Sequence, residues 1–386
     1  MFSSFSKNIT YLYFNRALIQ FAFGMLSGFS VLFFYQKFGE SISKVLLLFI
    51  ILYSIHAVVN HFTAKLIKRF GMKKLMIFSV LSLSLMFLSR MLWDYSMYIS
   101  LVMYALFFTL YRAFYWIPYH IEFASFTEKK SRGKQTATLY NAGDLLAAIL
   151  PFIAGILLSN YGFNILFIIS FIFAILSIGP LFKVEEVVEE YTWTFKKLIK
   201  EFFAKENRSM VVSIFGNGMQ NIIAAIIWPL FVFITIENDY VAFGLILTVV
   251  SVSLIILRSF VGKYIDILGR HKVLRFGNFL YFTGWILKMF VAGSTSIFVV
   301  DVYHRFGFVI NKTSFDVSTY DQAADSGHFI DEYTVLREFC ILMGSVFMGL
   351  ILIPIIILFG LKVAFLFGAF STLLMVSINK QTIKNH

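Results

Sequence analysis

The sequence predicts an all-α integral membrane protein with twelve transmembrane helices in two pseudo-symmetric six-helix bundles. Three observations carry that expectation. The chain of 386 residues is 59% hydrophobic and only 14% charged. It contains a dozen apolar runs near the length of a bilayer, and its basic residues gather in alternate connections. A soluble domain is about 45–50% apolar and about 25% charged. With mean hydropathy at +0.81, a water-soluble enzyme of this size is nearly excluded. The net charge of +12 is the kind of excess that nucleic-acid binding needs, but the cations sit between apolar segments, where they set membrane topology. No nucleic-acid partner is expected. The single cysteine, Cys340, rules out an internal disulfide and a cysteine-based zinc site.

A helix needs about 20 apolar residues to cross a bilayer core about 30 Å thick. Such runs lie at roughly 12–36, 44–67, 73–92, 96–123, 134–158, 162–182, 209–235, 241–263, 272–292, 296–318, 331–358 and 362–378. Closed β-barrels show short alternating strands instead. The first run is too long for a signal peptide and lacks a small-residue cleavage site, so no cleavable leader is expected. The connection after span 2 carries Lys65, Lys68, Arg69, Lys73 and Lys74. The one after span 4 carries Lys129, Lys130, Arg132 and Lys134, and the one after span 8 carries Lys263, Arg270, Lys272 and Arg275. The connections after spans 5, 7 and 9 have neither Lys nor Arg. Both termini are therefore expected on the cytoplasmic side of the cell (plasma or inner) membrane. Asp321, Asp325 and Asp331 after span 10 weigh little in this rule.

The longest connection separates residues 1–183 from 209–386, each half with six spans. Within 184–208, Glu185, Glu186, Glu189 and Glu190 come first. Then Phe195, Leu198, Ile199, Phe202 and Phe203 fall on one helical face, with Lys196, Lys197, Lys200 and Lys205 among them. This predicts an amphipathic helix on the cytoplasmic membrane surface; a calmodulin-type target is the alternative.

The two halves echo each other. After span 8 the chain reads Gly262-Lys263-Tyr264-Ile265-Asp266-Ile267-Leu268-Gly269-Arg270-His271-Lys272. After span 2 it reads Ala64-Lys65-Leu66-Ile67-Lys68-Arg69-Phe70-Gly71-Met72-Lys73-Lys74. Glycine permits a tight reversal and the basic residues anchor it at the cytoplasmic face. The pair resembles the G-x-x-x-D-R-x-G-R-[KR] loop of the major facilitator superfamily, and twelve spans with the motif after spans 2 and 8 is that family's layout. The resemblance implies a cytoplasmic gate held by the motif's acid, a role matched by Asp266. Lys68 stands at the counterpart in the first half, so a pair of reversed polarity, Lys68 with Asp331 or Glu332 at the start of span 11, is a candidate latch. The remaining gate residues are then Gly262, Gly269, Arg270, Lys272, Arg69 and Gly71.

Ionisable groups inside a span cost about 2.5–3.5 kcal/mol each on insertion scales, so those present need partners or water. Arg112 in span 4 and Asp144 in span 5 correspond to Arg305 in span 10 and Glu338 in span 11. Each pair is expected to approach across adjacent antiparallel helices. Asp301 shares a helical face with Arg305, with His304 beside them. Asn141, Gln20, Asn217, Gln220, His56 and Trp116 are further candidates for a hydrated cavity. Asn60, Asn221, Tyr53, His120 and Glu122 lie nearby on the same spans. Tyr104, Phe108, Tyr111, Tyr115 and Tyr119 form a stripe that reads as packing. Trp228-Pro229 predicts a kink in span 7. Gly24, Gly28, Gly143 and Gly155 read as close-packing positions.

The family resemblance implies that spans 1, 4, 7 and 10 line a central cavity. Arg112 matches the span 4 arginine of the family, with Trp116 where a glycine is usual. Leu150-Pro151-Phe152-Ile153-Ala154-Gly155 matches the span 5 antiporter motif only in part. The expected function is secondary active transport of a small solute by alternating access, proton-coupled through Asp144 and Glu338, with Asp301 and Glu122 behind them. Arginines in both halves point to an anionic or zwitterionic solute. An exporter of lipids, amphiphiles or drugs is the alternative within transport, given 48 phenylalanines. A membrane enzyme or transport-dead receptor is the alternative outside it. No Walker sequence, H-E-x-x-H or G-x-S-x-G is present. Neither a cofactor nor a metal is expected, and the chain reads as a monomer partnered by protons, solute and lipid.

Overall fold

A computed structural model describes residues 7–126, 148–185, 193–268, 270–325 and 330–377, and these are helical with short connections. In chain order the elements are α1 (Lys7–Met25), α2 (Phe29–Lys37), α3 (Ile42–Phe70), α4 (Met72–Ser89) and α5 (Met97–Phe126). They continue with α6 (Ala148–Tyr161), α7 (Phe163–Leu176), α8 (Ile178–Leu181), α9 (Phe195–Phe203), α10 (Arg208–Ile222), α11 (Trp228–Thr235) and α12 (Tyr240–Leu268). The last are α13 (Arg270–Lys288), α14 (Ser294–Asp325), α15 (Ile330–Phe359) and α16 (Ala364–Met375).

The described residues of each expected span are helical, with 134–147 of span 5 outside the description, but the number among them that qualifies as membrane-crossing is smaller than twelve. Six segments among the described residues are long and apolar enough: Ile42–Thr63, Met72–Asp94, Met97–Trp116, Phe163–Leu181, Arg208–Thr235 and Glu332–Phe359. A seventh arises if α1 and α2, bent by 41°, form one span. Ala148–Tyr161, Tyr240–Ile256 and Leu361–Met375 are apolar but shorter. Helices α13 and α14 fall outside that set; α13 carries Arg270, Lys272, Arg275 and Lys288, and α14 carries Asp301 and Arg305 within its apolar part. Elsewhere large apolar side chains face outward, among them Phe290, Leu358, Ile357 and Val102. That is the pattern of a protein whose solvent is hydrocarbon.

Local sequence explains the breaks. Gly71 separates α3 from α4 with φ of 80°, a left-handed conformation open to glycine, and it caps the end of α3 through its N–H to the Ile67 carbonyl at 2.8 Å. Gly28 makes the bend between α1 and α2 with φ of 71°. At Pro229 span 7 departs from regular α-helix. A π-helical turn, Ile223–Ile227, absorbs the geometry just before the proline, which then sits in the first turn of α11, where a missing N–H costs nothing.

The chain divides into two compact units. The first holds Met1–Phe29, Val58–Tyr191 and Tyr240–Val249; the second holds Ser30–Ala57, Thr192–Asp239 and Val250–His386. Each thus takes in one segment from the other half of the sequence. In the first unit α4 packs along α5 and α7, and α7 along α1. There Gly155 of α6 meets the Tyr240 carbonyl, and Gly244 of α12 meets the Pro151 carbonyl, so the two backbones touch where a side chain would have no room. The Phe152 N–H also donates to Thr248 Oγ1 at 3.1 Å. In the second unit α13 packs along α14 and α16, and α10 along α15 and α16. Gly218 lies against the Ile341 carbonyl and Gly344 against that of Phe215. Ser345 Oγ donates to the Gly218 carbonyl at 2.8 Å.

The amphipathic segment is helical over Phe195–Phe203, as its spacing predicts. Thr194 caps it, accepting from the Lys197 N–H at 3.3 Å. Leu198 is fully buried, whereas Phe203 is 77% exposed. Phe202 meets Phe339 edge-on at 5.4 Å, and Trp193 meets Tyr333 at 5.9 Å. The helix is therefore fastened to the start of α15.

Candidate functional site

Helices α13 and α14 of the second unit run side by side, held close by Gly284 against His304 and by Gly307 against Tyr281. Their closeness brings together the densest group of charges inside the described helices. Asp301, 1% exposed, accepts from Lys288 Nζ on Oδ1 at 3.0 Å and from Arg305 Nε on Oδ2 at 3.1 Å. Lys288 is itself 1% exposed. Its ammonium lies 3.7 Å from the centroid of the Trp228 ring and 4.8 Å from that of Trp285. Aromatic faces thus replace part of its hydration shell. Arg305 is the open end of the group, with 34% of its side chain exposed.

Around this core the ring of His304 packs against Trp285 at 4.4 Å and Tyr281 at 4.8 Å. Both ring nitrogens of His304 are buried without a hydrogen-bond partner. The hydroxyl of Tyr281 donates to Gln220 Oε1, tying α13 to α10. Farther along, Asn311 Nδ2 donates to Asn278 Oδ1 at 3.1 Å, while Asn311 Oδ1 has no partner.

The structure revises one expected pairing. Arg305 engages Asp301 within its own helix rather than Glu338, which pairs with its neighbour Arg337 at 3.3 Å. The i, i+4 contact needs no helix–helix approach, so it forms whatever the distance to α15. Asp144 and Asn141, the partners sought for Arg112, lie outside the described residues. Gly143 and Gly269 do so too, while His120, Glu122, Lys68, Asp331, Gly262, Asp266, Arg270 and Lys272 lie on helical backbone with their side chains outside the description. Of the gate group, Glu332 is buried and Arg69 is exposed, its guanidinium 5.3 Å from the Phe70 ring. Lys73 of the same basic loop donates to the Phe182 carbonyl at 2.6 Å, satisfying the end of α8.

In the first unit Arg112 is half-buried over Phe108 at 5.6 Å, with its Nε unpartnered. Trp116 lies under the guanidinium of Arg16 at 4.7 Å. Gln20 Oε1 is buried without a partner. Tyr111, Tyr115 and Tyr119 stack at 5.5 Å intervals and are buried, a packed column as expected. Tyr115 also donates to Asn15 Oδ1 at 2.8 Å, and Asn15 Nδ2 donates to the Ser177 carbonyl at 2.7 Å. In span 2, His56 and Asn60 are buried. In span 7, Asn217 is buried with its Oδ1 unpartnered.

Sequence reasoning missed Lys288 and Arg16. Both stand near the ends of apolar runs, where a cation reads as an interfacial anchor. The usable signal for Lys288 was a lysine flanked on both sides by apolar residues, Trp285-Ile286-Leu287 and Met289-Phe290-Val291.

A cavity of about 390 Å³ in the first unit is lined by Tyr11, Phe14, Gly179, Pro180 and Lys183, and includes none of the expected site residues.

No curated protein matches the sequence. Among solved structures, a crystal structure of a POT family transporter in complex with 5-aminolevulinic acid aligns with a TM-score of 0.73 at 11% identity. The alignment covers 98% of this chain and 96% of that one, which establishes the fold. The family model described as Major Facilitator Superfamily matches residues 12–311. This chain is a multi-pass membrane protein that belongs to the Major Facilitator Superfamily.

Proposed function

We propose that this protein is a secondary active transporter that moves a small solute by alternating access and couples that movement to protons. The observation that carries the reading is Asp301, a carboxylate 1% exposed between α13 and α14 and shared between two cations. Buried ion pairs add little net stability, because desolvation offsets attraction. Their retention at membrane depth fits a role in moving charge. Arg305 is the partly exposed end of the group, and Arg112 offers a second half-buried cation in the first unit. Asp144 and Glu338 complete the set of intramembrane acids proposed for coupling.

In this reading twelve spans form two six-helix halves joined by 184–208, with both termini cytoplasmic and the chain working as a monomer in the cell membrane. Shorter helices such as α6 and α16 then complete spans too brief or too polar to qualify alone. Asp266 and the basic loops form the cytoplasmic gate, with Lys68 and either Asp331 or Glu332 as its first-half counterpart. The backbone contacts of Gly155 with Tyr240 and of Gly244 with Pro151, together with Gly349 against Ile50, support closure of the extracellular side.

The test is uptake into proteoliposomes across a metabolite panel, with and without an imposed proton gradient. Wild-type uptake is expected to follow the gradient, and Asp301→Asn to lose that dependence. Uptake indifferent to both removes proton coupling. No uptake of any solute removes the transporter reading.

A further inference from the structure

The buried cluster of α13 and α14 carries an imbalance that the transporter reading does not use. Lys288 and Arg305 bring two positive charges against the single negative charge of Asp301, at 3.0 and 3.1 Å. With His304 neutral, the described side chains of the group keep one uncompensated positive charge. A net charge in a membrane interior is costly, and it attracts a counter-charge strongly, because little water screens it.

Arg305 determines where that counter-charge can sit. It uses only Nε toward Asp301, and its two terminal nitrogens make no hydrogen bond to any described residue. Guanidinium presents its donors as a rigid planar fork, and the outer edge of that fork matches the two oxygens of a carboxylate. Lys288 cannot make this contact, since its ammonium is fully buried and seated on Trp228. Its contribution is charge. His304, adjacent in sequence to Arg305 and 4% exposed, brings unpartnered ring nitrogens to the same stretch of α14.

We infer that the outer edge of Arg305 is the binding point for the carboxylate of an organic monoanion, and that Lys288 sets its affinity by balancing the charge of Asp301. The inference rests on the transporter reading above and specifies its substrate class. With the solute bound, two cations face two anions and the cluster is neutral. With the site empty, the excess positive charge keeps it receptive to carboxylates and unreceptive to cations.

The experiment uses the full chain in detergent and measures binding of benzoate against its neutral isostere benzamide, at constant ionic strength, by ligand-dependent thermal shift. Benzoate is expected to raise the melting temperature and benzamide is not. Arg305→Gln is expected to weaken benzoate binding about tenfold or more, as loss of a charge-assisted hydrogen bond does. Lys288→Met, which never touches the ligand, is expected to weaken it comparably by leaving Asp301 in balance with Arg305 alone. The double variant Lys288→Met/Asp301→Asn restores the single positive charge and is expected to return affinity to within about threefold of wild type. A purely structural role for Lys288 predicts no such recovery. Should Lys288→Met fail to fold, the comparison of Arg305→Gln with the double variant still decides. The inference is overturned if Arg305→Gln binds benzoate normally or if the double variant binds as weakly as Arg305→Gln. A chain that transports solutes but shows no benzoate shift overturns the anion assignment alone. One that binds benzoate yet transports nothing overturns the transporter reading alone.

Discussion

Lys288 Nζ lies 3.0 Å from Asp301 Oδ1, and both side chains are 1% exposed. They come from adjacent helices, so the pair also fastens α13 to α14. Removing one member leaves the other charge without its buried partner, which typically costs about 3–5 kcal/mol. Asp301 keeps Arg305 as a second partner, so Lys288→Met is expected to be the milder lesion. Asp301→Asn leaves two cations facing each other and is expected to lower the melting temperature more. The double variant is expected to recover most of that loss. Melting of the four proteins in one detergent gives the coupling directly.

The α6–α12 crossing in the first unit depends on bare backbone. Gly244 faces the Pro151 carbonyl and Gly155 faces that of Tyr240 with no space for a side chain. Gly244→Leu is expected to cost about 1–3 kcal/mol by overpacking. It is also expected to depress transport more than Gly293→Leu, since an added Cβ at Gly293 meets nothing within 4 Å. Equal transport by the two variants would remove any special role for the crossing.

Tyr115 reaches Asn15 Oδ1 at 2.8 Å, deep in the first unit. Tyr115→Phe keeps the ring in its stack and deletes only the hydroxyl. A buried acceptor left unpaired costs about 1–3 kcal/mol, so a lower melting temperature is expected. Tyr98→Phe, at an exposed residue, is expected to melt like wild type.

Thr194 is the N-cap of α9, its hydroxyl oxygen accepting from the Lys197 N–H. Thr194→Ala is expected to weaken that helix by about 0.5–2 kcal/mol. Amide hydrogen exchange over 195–203 is expected to accelerate while α10 and α15 keep their protection. Phe202→Ala, which loses the edge contact with Phe339, is expected to release the same helix. Unchanged exchange in both variants would mean that α9 is held elsewhere.

Much of the architecture was legible because membrane insertion imposes a strong one-dimensional constraint. An apolar run of about 20 residues has few alternatives to a spanning helix. Hence the segments over α3, α4, α5, α7, α10–α11 and α15 coincide with the expected ones, and the spacing of Phe195, Leu198, Ile199 and Phe202 announced α9. The candidate site was half legible. Asp301, His304 and Arg305 stood out because charge inside an apolar run needs a reason, and the i, i+4 spacing of Asp301 and Arg305 foretold their contact. Lys288 did not stand out, because its partner lies on another helix. The pairing of Arg305 with Glu338 was an error of the same kind, since short connections say which helices are neighbours but not which side chains meet.

By itself, then, the sequence determined a helical membrane protein, where its long apolar helices run, and a resemblance to its family. Those properties depend on composition and local spacing along the chain. Only tertiary structure decided that Asp301 is shared by Lys288 and Arg305, that Trp228 shelters an ammonium, and that glycines on α6 and α12 let two backbones touch. Such contacts depend on the rotation and depth of each helix against its neighbour. Small offsets there select among partners that the linear order treats as equivalent.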